Sequence, residues 1–308
     1  MIATVTLNPA VDKTYTAARM IPGQVNRIDS IKNIAGGKGI NVTKVLRQYN
    51  YSVRAFGFLG GYTGKFIADY VKEIGAECCF TSVEGETRIN TNILSQDGYV
   101  TELLEPGPDI TQEEMGRFFA DFEGNIGDCE LVVFSGSAPE HIPATIYHDM
   151  IMRAKVMGKK VILDSSGEYL KRSVNACPFM VKPNLKELEV LSGRKTRNLE
   201  DIIGAALQLG GKGIPHVMVS MGAKGLLYVA DRQVMYAKAP AVKAVNTVGC
   251  GDSVVASFAM AYTKDLSHEL LLKYCVGISA ANATTLESAV IPMGLAEEMM
   301  EKVEVIRY

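Results

Sequence analysis

The residues best placed to do chemistry form two glycine-rich runs, Asn246-Thr247-Val248-Gly249-Cys250-Gly251-Asp252 and Gly36-Gly37-Lys38-Gly39-Ile40-Asn41. Each precedes an amphipathic helical pattern. Glycine there lets the backbone adopt φ > 0 and approach a ligand, and the amides of a helix N-terminus point at an anion. Asp252 falls in the first turn of such a helix, beside the converging amides of Gly249, Cys250 and Gly251. Capping and tight turning alone would explain an aspartate and glycines in these places. Phosphoryl transfer asks more of the same segment: a base within reach of an acceptor hydroxyl, and dipoles where charge spreads over the transferring group. In the other run, Lys38 and Asn41 stand at the mouth of a helix whose Val42, Val45, Leu46 and Tyr49 share one face.

Competing chemistries lack their residues. Gly64-Lys65 is followed by Phe66 and has no glycine five positions before Gly64, so it is no Walker A loop. Neither Gly37-Lys38-Gly39 nor Gly249-Cys250-Gly251 extends to G-x-G-x-x-G, and no G-x-S-x-G surrounds Ser135 or Ser137. The four histidines form no zinc-binding spacing, and the six cysteines form no C-x-x-C, so free thiols are expected. A formal net charge of −2 offers no basic excess for a nucleic-acid partner. The stretch from Met1 to Lys13 does not read as a secretory leader, and no uncharged apolar run of about 18 residues occurs, so no membrane association and a cytoplasmic location are expected.

The elements that must position these residues alternate. Ile2–Leu7, Val53–Phe58, Leu131–Phe134, Val161–Leu163 and Val217–Met221 read as buried strands. Between them, Thr111–Ile126 reads as a helix opened by a Thr111/Glu114 capping box, with Met115, Phe118, Phe119, Phe122 and Ile126 on one face; Lys65–Ile74 reads as another. Three further helices, Asp252–Thr263, Ser267–Leu286 and Leu295–Val303, make the C-terminal third mostly helical. Such alternation implies right-handed crossovers and a mostly parallel sheet covered on both faces, a three-layer α/β/α sandwich. Two stretches break the rhythm: residues 10–35 are polar and irregular, and residues 88–105 read as a hairpin turning at Asp97-Gly98, a type I′ pairing. Together they are expected to form a small β lid on a single domain spanning 1–308.

At this point the chain resembles the ribokinase-like sugar kinases, specifically their phosphofructokinase B branch. The resemblance rests on Thr6-Leu7-Asn8-Pro9 with Asp12, the G-G-K-G-x-N run, Thr87-Arg88-Ile89-Asn90, Ser135-Gly136-Ser137, Asp164-Ser165-Ser166-Gly167, Lys182-Pro183-Asn184 with Glu187, Ser220-Met221-Gly222-Ala223-Lys224-Gly225, and T-V-G-C-G-D, in that order. It implies that Asp252 is the base and that Gly249, Cys250 and Gly251 form the anion hole. Asp12 would hold sugar hydroxyls, helped by Gly36, Gly37, Asn41 and Ser137. Arg88 and Lys38 would meet the phosphate already on the substrate, the guanidinium as a fork and the ammonium as a point charge. Asn26 and Arg27 would rank behind them.

Lys182, Asn184, Ser220, Gly222, Ala223, Lys224 and Gly225, with Gly251, would border ATP, and Asn184 and Glu187 would act through water on Mg²⁺. The implied reaction moves the ATP γ-phosphoryl to a ketohexose phosphate, fructose 1-phosphate first. Tagatose 6-phosphate is the alternative, and fructose 6-phosphate or a non-catalytic sugar-phosphate sensor stand further off. Thr87-Arg88-Ile89-Asn90 favours the first and Asn246 the second. The resemblance also implies a homodimer paired through the lid. Cys250 departs from the pattern, where alanine is common.

Overall fold

The computed structural model describes residues 1–308. Its strands are β1 (Ile2–Thr6), β2 (Ala10–Ala17), β3 (Ser30–Gly36), β4 (Val53–Leu59), β5 (Glu77–Ser82), β6 (Ile89–Ser95), β7 (Val100–Leu104), β8 (Leu131–Ser135), β9 (Lys160–Asp164), β10 (Met180–Val181), β11 (His216–Ser220), β12 (Leu226–Ala230), β13 (Gln233–Lys238) and β14 (Glu304–Arg307). The helices are α1 (Lys38–Gln48), α2 (Gly61–Glu73), α3 (Gln112–Asn125), α4 (Ile146–Val156), α5 (Gly167–Ser173), α6 (Leu185–Ser192), α7 (Leu199–Gly210), α8 (Cys250–Thr263), α9 (His268–Asn282) and α10 (Met293–Lys302).

Ten strands form one sheet in the order β14-β13-β12-β11-β10-β9-β8-β1-β4-β5, parallel from β5 through to β11. Its central strands are apolar on both faces because helices cover both. Ile2 of β1 and Leu131 and Val133 of β8 face a core shared with α1, α2, α8, α9 and α10. Ala3, Val5, Val132 and Phe134 face the opposite core, shared with α3 to α7. Phe118 and Phe122 of α3 pack there on Phe58 and Phe56, and the Thr111/Glu114 capping box opens that helix as expected. This is the expected α/β/α sandwich. The chain leaves β1 towards β4 and later returns to β1's other side as β8, and the carboxyl ends of parallel strands at such a reversal leave a crevice for ligands.

Three expectations needed correction. Residues 10–35 are not irregular: they hold β2 and all of β3 but its last residue, which join β6 and β7 in a second sheet, ordered β3-β2-β6-β7. The β6–β7 connection does turn at Asp97-Gly98, but Gly98 alone there has positive φ, so the turn is not type I′, which needs positive φ at both central residues. The C-terminal third is less helical than expected, because β12, β13 and β14 extend the main sheet with antiparallel strands. Helix ends also shift: α2 starts at Gly61 and α9 stops at Asn282.

Candidate active site

The β1–α1 connection brings its functional residues together through contact distances that leave no room for side chains. A Cβ on Gly36 would lie 1.9 Å from Asp12 Oδ2, so glycine is what admits the Asp12 carboxylate against the backbone. Asn90 of β6 donates to Asp12 Oδ1 at 3.0 Å. Burial raises the Asp12 carboxyl above its ordinary value, against the opposing pull of Asn90, Lys44 and Arg88. One turn into α1, Asn41 Nδ2 donates to Asp252 Oδ2 at 2.8 Å.

Asp252 lies in the first turn of α8, 4% exposed. Burial pushes its carboxyl up to about 6; Lys38 resists the rise and Asp164 adds to it. The turn is set by Gly249, the N-cap at φ 83°, a left-handed conformation that costs any side chain and would drive a Cβ to 3.0 Å from Ala289 N. Of the amides expected to converge here, that of Cys250 donates to Thr247 O at 3.3 Å. Those of Gly249, Gly251 and Asp252 have no acceptor within the protein. The amides left open by the turn are thus those of Gly249, Gly251 and Asp252 rather than that of Cys250. Asn246 is occupied in holding this loop: it donates to Leu286 O and accepts from Val248 N, both at 2.9 Å. The Cys250 thiol is half-buried against Ser279 and Asn282, and burial raises it.

Beneath the α8 turn is a group that sequence reasoning left unassigned. Asp164, at the end of β9, is 1% exposed and takes Lys182 Nζ on Oδ1 at 3.2 Å and Lys38 Nζ on Oδ2 at 3.4 Å. Burial would raise this carboxyl, but the two ammonium groups, Lys182 foremost, hold it below its ordinary value. The same pairing holds the Lys38 ammonium charged well above its usual range. Lys182 lies close under Gly251, whose Cβ would be 3.3 Å from Nζ.

Two clefts meet at this turn. One, about 520 Å³, is polar and is lined by Asp12, Gly37, Lys38, Asn41, Arg88, Ser137, Gly249, Gly251 and Asp252. Arg88 enters it with Nη1 and Nη2 on the carbonyls of Glu105 and Asn8, while Nε is buried without a partner. The Glu105 carboxylate instead accepts from Ile89 N, so no carboxylate contact neutralises the guanidinium. Asn8 Oδ1 and Asn90 Oδ1 are also buried and unpartnered in this cleft. Orphaned polar atoms gathered in one cleft are the places a polyhydroxylated, anionic ligand would fill.

The other cleft, about 880 Å³, is mainly apolar and is lined by Asn184, Ser220, Gly222, Ala223, Gly225 and Gly251, with Val242, Val254 and Val276 among its hydrophobic walls. Lys182 and Lys224 are absent from its lining, against expectation, because Lys182 is turned under α8 to Asp164 and Lys224 is exposed on the rim. Asn184 and Glu187 cap α6 reciprocally, using Asn184 Oδ1 and Glu187 Oε2. Asn26 closes its own loop on Ile21 and Gln24, and neither it nor Arg27 lines the polar cleft. The cleft also contains Lys44, Asn92, Glu102 and Glu287, which the sequence did not single out. Lys44 had one available signal, its position three residues after Asn41 on the same helical face.

Comparison with known proteins gives the chain a family. Residues 5–292 match the model of the pfkB family carbohydrate kinases. The chain is 34% identical over 307 residues to the 1-phosphofructokinase of Bacillus subtilis, covering all of both chains. It is also 34% identical over 309 residues to the tagatose-6-phosphate kinase of Staphylococcus epidermidis, covering 99% of each. The crystal structure of phosphofructokinase-2 from Escherichia coli in complex with potassium superposes with a TM-score of 0.90 over 98% of both chains, at 25% identity. With nearly the whole length matched, the chain belongs to the pfkB family of carbohydrate kinases.

Proposed function

We propose that this kinase transfers the γ-phosphoryl group of ATP to fructose 1-phosphate, giving fructose 1,6-bisphosphate. The observation that carries this reading is the position of Asp252 in the polar cleft, next to Gly251, which lines both clefts, with an Arg88 guanidinium that makes no ion pair in the same polar cleft. A sugar phosphate with its phosphate on Arg88 and its hydroxyls on Asp12 and Asn90 would present a free hydroxyl to Asp252. A carboxyl near 6 is ionised at neutral pH and still basic enough to accept that proton. The open amides of Gly249, Gly251 and Asp252, with Lys38, would hold the charge that develops on the phosphoryl. Adenine would lie in the apolar groove, walled by Val242, Val254 and Val276.

The residues fit a magnesium ion carried by ATP. No group of three or more His, Cys, Asp or Glu side chains is arranged to cage a metal, and Mg²⁺ keeps most of its waters and needs few protein ligands. Glu187 Oε1 is left free by the cap and would hold such an ion through water, with Asn184 beside it. The ion would offset phosphate charge. Tagatose 6-phosphate is the second acceptor, favoured by the equal identity to a tagatose-6-phosphate kinase. We further read residues 1–308 as one functional unit in which β2, β3, β6 and β7 serve as the lid. It would act as a homodimer through the lid's exposed apolar side chains, and in the cytoplasm, in keeping with six free cysteines.

The test is ADP release with Mg-ATP and fructose 1-phosphate, tagatose 6-phosphate, fructose 6-phosphate or ribose at matched concentrations. Fructose 1-phosphate is expected to give the highest kcat/KM. A preference for tagatose 6-phosphate would move the assignment to the second acceptor. Turnover of ribose alone would remove the role given to Arg88, and no turnover with any acceptor would point to a sensor.

A further inference from the structure

Lys44 is 4% exposed and makes no ion pair. Its ammonium has one hydrogen-bond acceptor, Asn41 Oδ1 at 3.4 Å, and lies over the Tyr70 ring at 5.4 Å. A buried charge with so little direct compensation is costly unless its field is used. Its neighbours indicate where. Asp12 of β2, Glu287 of the loop before α10 and Asp252 of α8 all face it, and their attraction partly offsets the burial that lowers the ammonium to about 8.

We propose that Lys44 is a positioning residue for the proton transfer: its ammonium fixes the Asn41 amide, and the amide fixes the Asp252 carboxylate in its ionised form. The geometry is directional. An ammonium only donates, so the Asn41 oxygen must face Lys44. The Asn41 NH₂ must then face the other way, where it meets Asp252 Oδ2 at 2.8 Å. Without the cation the amide is free to rotate and bring its oxygen against the carboxylate, a contact that disfavours the ionised base. Lys44 itself needs no contact with substrate or with the reacting atoms in this role. The other charges facing Asp252 are Lys38 of α1, Asp164 at the end of β9 and Lys182 after β10, and these are committed to one another. Lys44 is tied up in no such ion pair, and the amide it orients reaches Asp252 directly.

The inference rests on the kinase reading, so wild-type turnover is measured first; a wild type silent with every acceptor removes that reading and this inference with it. With turnover established, Lys44→Met and Lys44→Arg are compared with wild type as pH profiles of kcat and kcat/KM. Lys44→Met is expected to lower kcat about tenfold or more and to move the acid limb upward by about half a pH unit or more, with both KM values within about threefold. Lys44→Arg is expected to restore the acid limb and to flatten the wild-type loss of rate above about pH 8, because a guanidinium stays charged there. An acid limb unmoved in folded Lys44→Met, or a loss confined to the sugar-phosphate KM, would overturn the proposal. Should Lys44→Met fail to fold by circular dichroism, Lys44→Arg decides: an alkaline limb unchanged from wild type overturns it equally.

Discussion

Asp252 is held where its charge is least welcome, and that gives the residue two separable signatures. Its carboxyl stands at about 6 against an ordinary 3.8, so between those values the folded chain binds a proton that the unfolded chain has released. Stability therefore falls as pH rises from about 4 through about 6, and above that window the ionised carboxylate destabilises the fold by about 2–3 kcal/mol. Asp252→Asn removes the ionisation while keeping an oxygen for Asn41. The variant is expected to lose about 10³-fold or more in kcat with ATP affinity retained. It is also expected to unfold at higher temperature than wild type at pH 8 and at nearly the same temperature at pH 4. Calorimetry at the two pH values, beside the activity assay, separates a buried catalytic base from a capping residue; a cap replaced by asparagine would show neither the turnover loss nor the pH-dependent gain.

Among the elements, α8 carries the chemistry because its first turn is forced open at Gly249. Gly249→Ala places a side chain at φ 83° and 3.0 Å from Ala289 N, so a loss of about 1–2 kcal/mol in chemical denaturation is expected. The amides of Gly251 and Asp252 would tilt with the turn, and kcat should fall about tenfold or more while the sugar KM holds. An unchanged kcat would mean that those amides hold no developing charge. This element was readable from sequence since its turn, amides and carboxylate are contiguous, as were the parallel strands, whose unbroken apolar runs mark burial on both faces. β3 was not: Ser30–Gly36 keeps four exposed residues at its start and shows no buried alternation. Neither was the Asp164 centre, which gathers the end of β9, the start of α1 and the residue after β10 from more than a hundred residues of chain. The motif containing Asp164 was visible, but its two ammonium partners follow only from strand order. Lys44 was not singled out either, because its burial over the Tyr70 ring is a contact between α1 and α2 that the sequence of α1 does not show.

At the scale of the molecule, the second sheet poses a problem that one chain does not solve. Strand pairing puts Asp12, Thr14, Asn90, Asn92 and Glu102 on one face, all of them lining the polar cleft. The same face continues outward through Leu94 and Val100, which are 39% and 61% exposed, and ends on β7, an edge strand with no neighbour on its far side. Apolar side chains beside a free edge invite association, and burying such a side chain contributes about 1.5–3 kcal/mol. A second lid laid across this surface would cover it and hold the cleft-facing residues over the sugar phosphate. The proposed homodimer then makes activity depend on protein concentration. Leu94→Asp with Val100→Asp, both outside the cleft lining, is expected to give monomers in sedimentation equilibrium and to raise the KM for the sugar phosphate about tenfold or more, since a lid without its partner closes less often. No residue of the second sheet lines the apolar groove, so ATP affinity should stay within about threefold. A double variant that remains dimeric would place the interface elsewhere, whereas a monomer with wild-type KM would free the lid from any role in assembly-dependent closure.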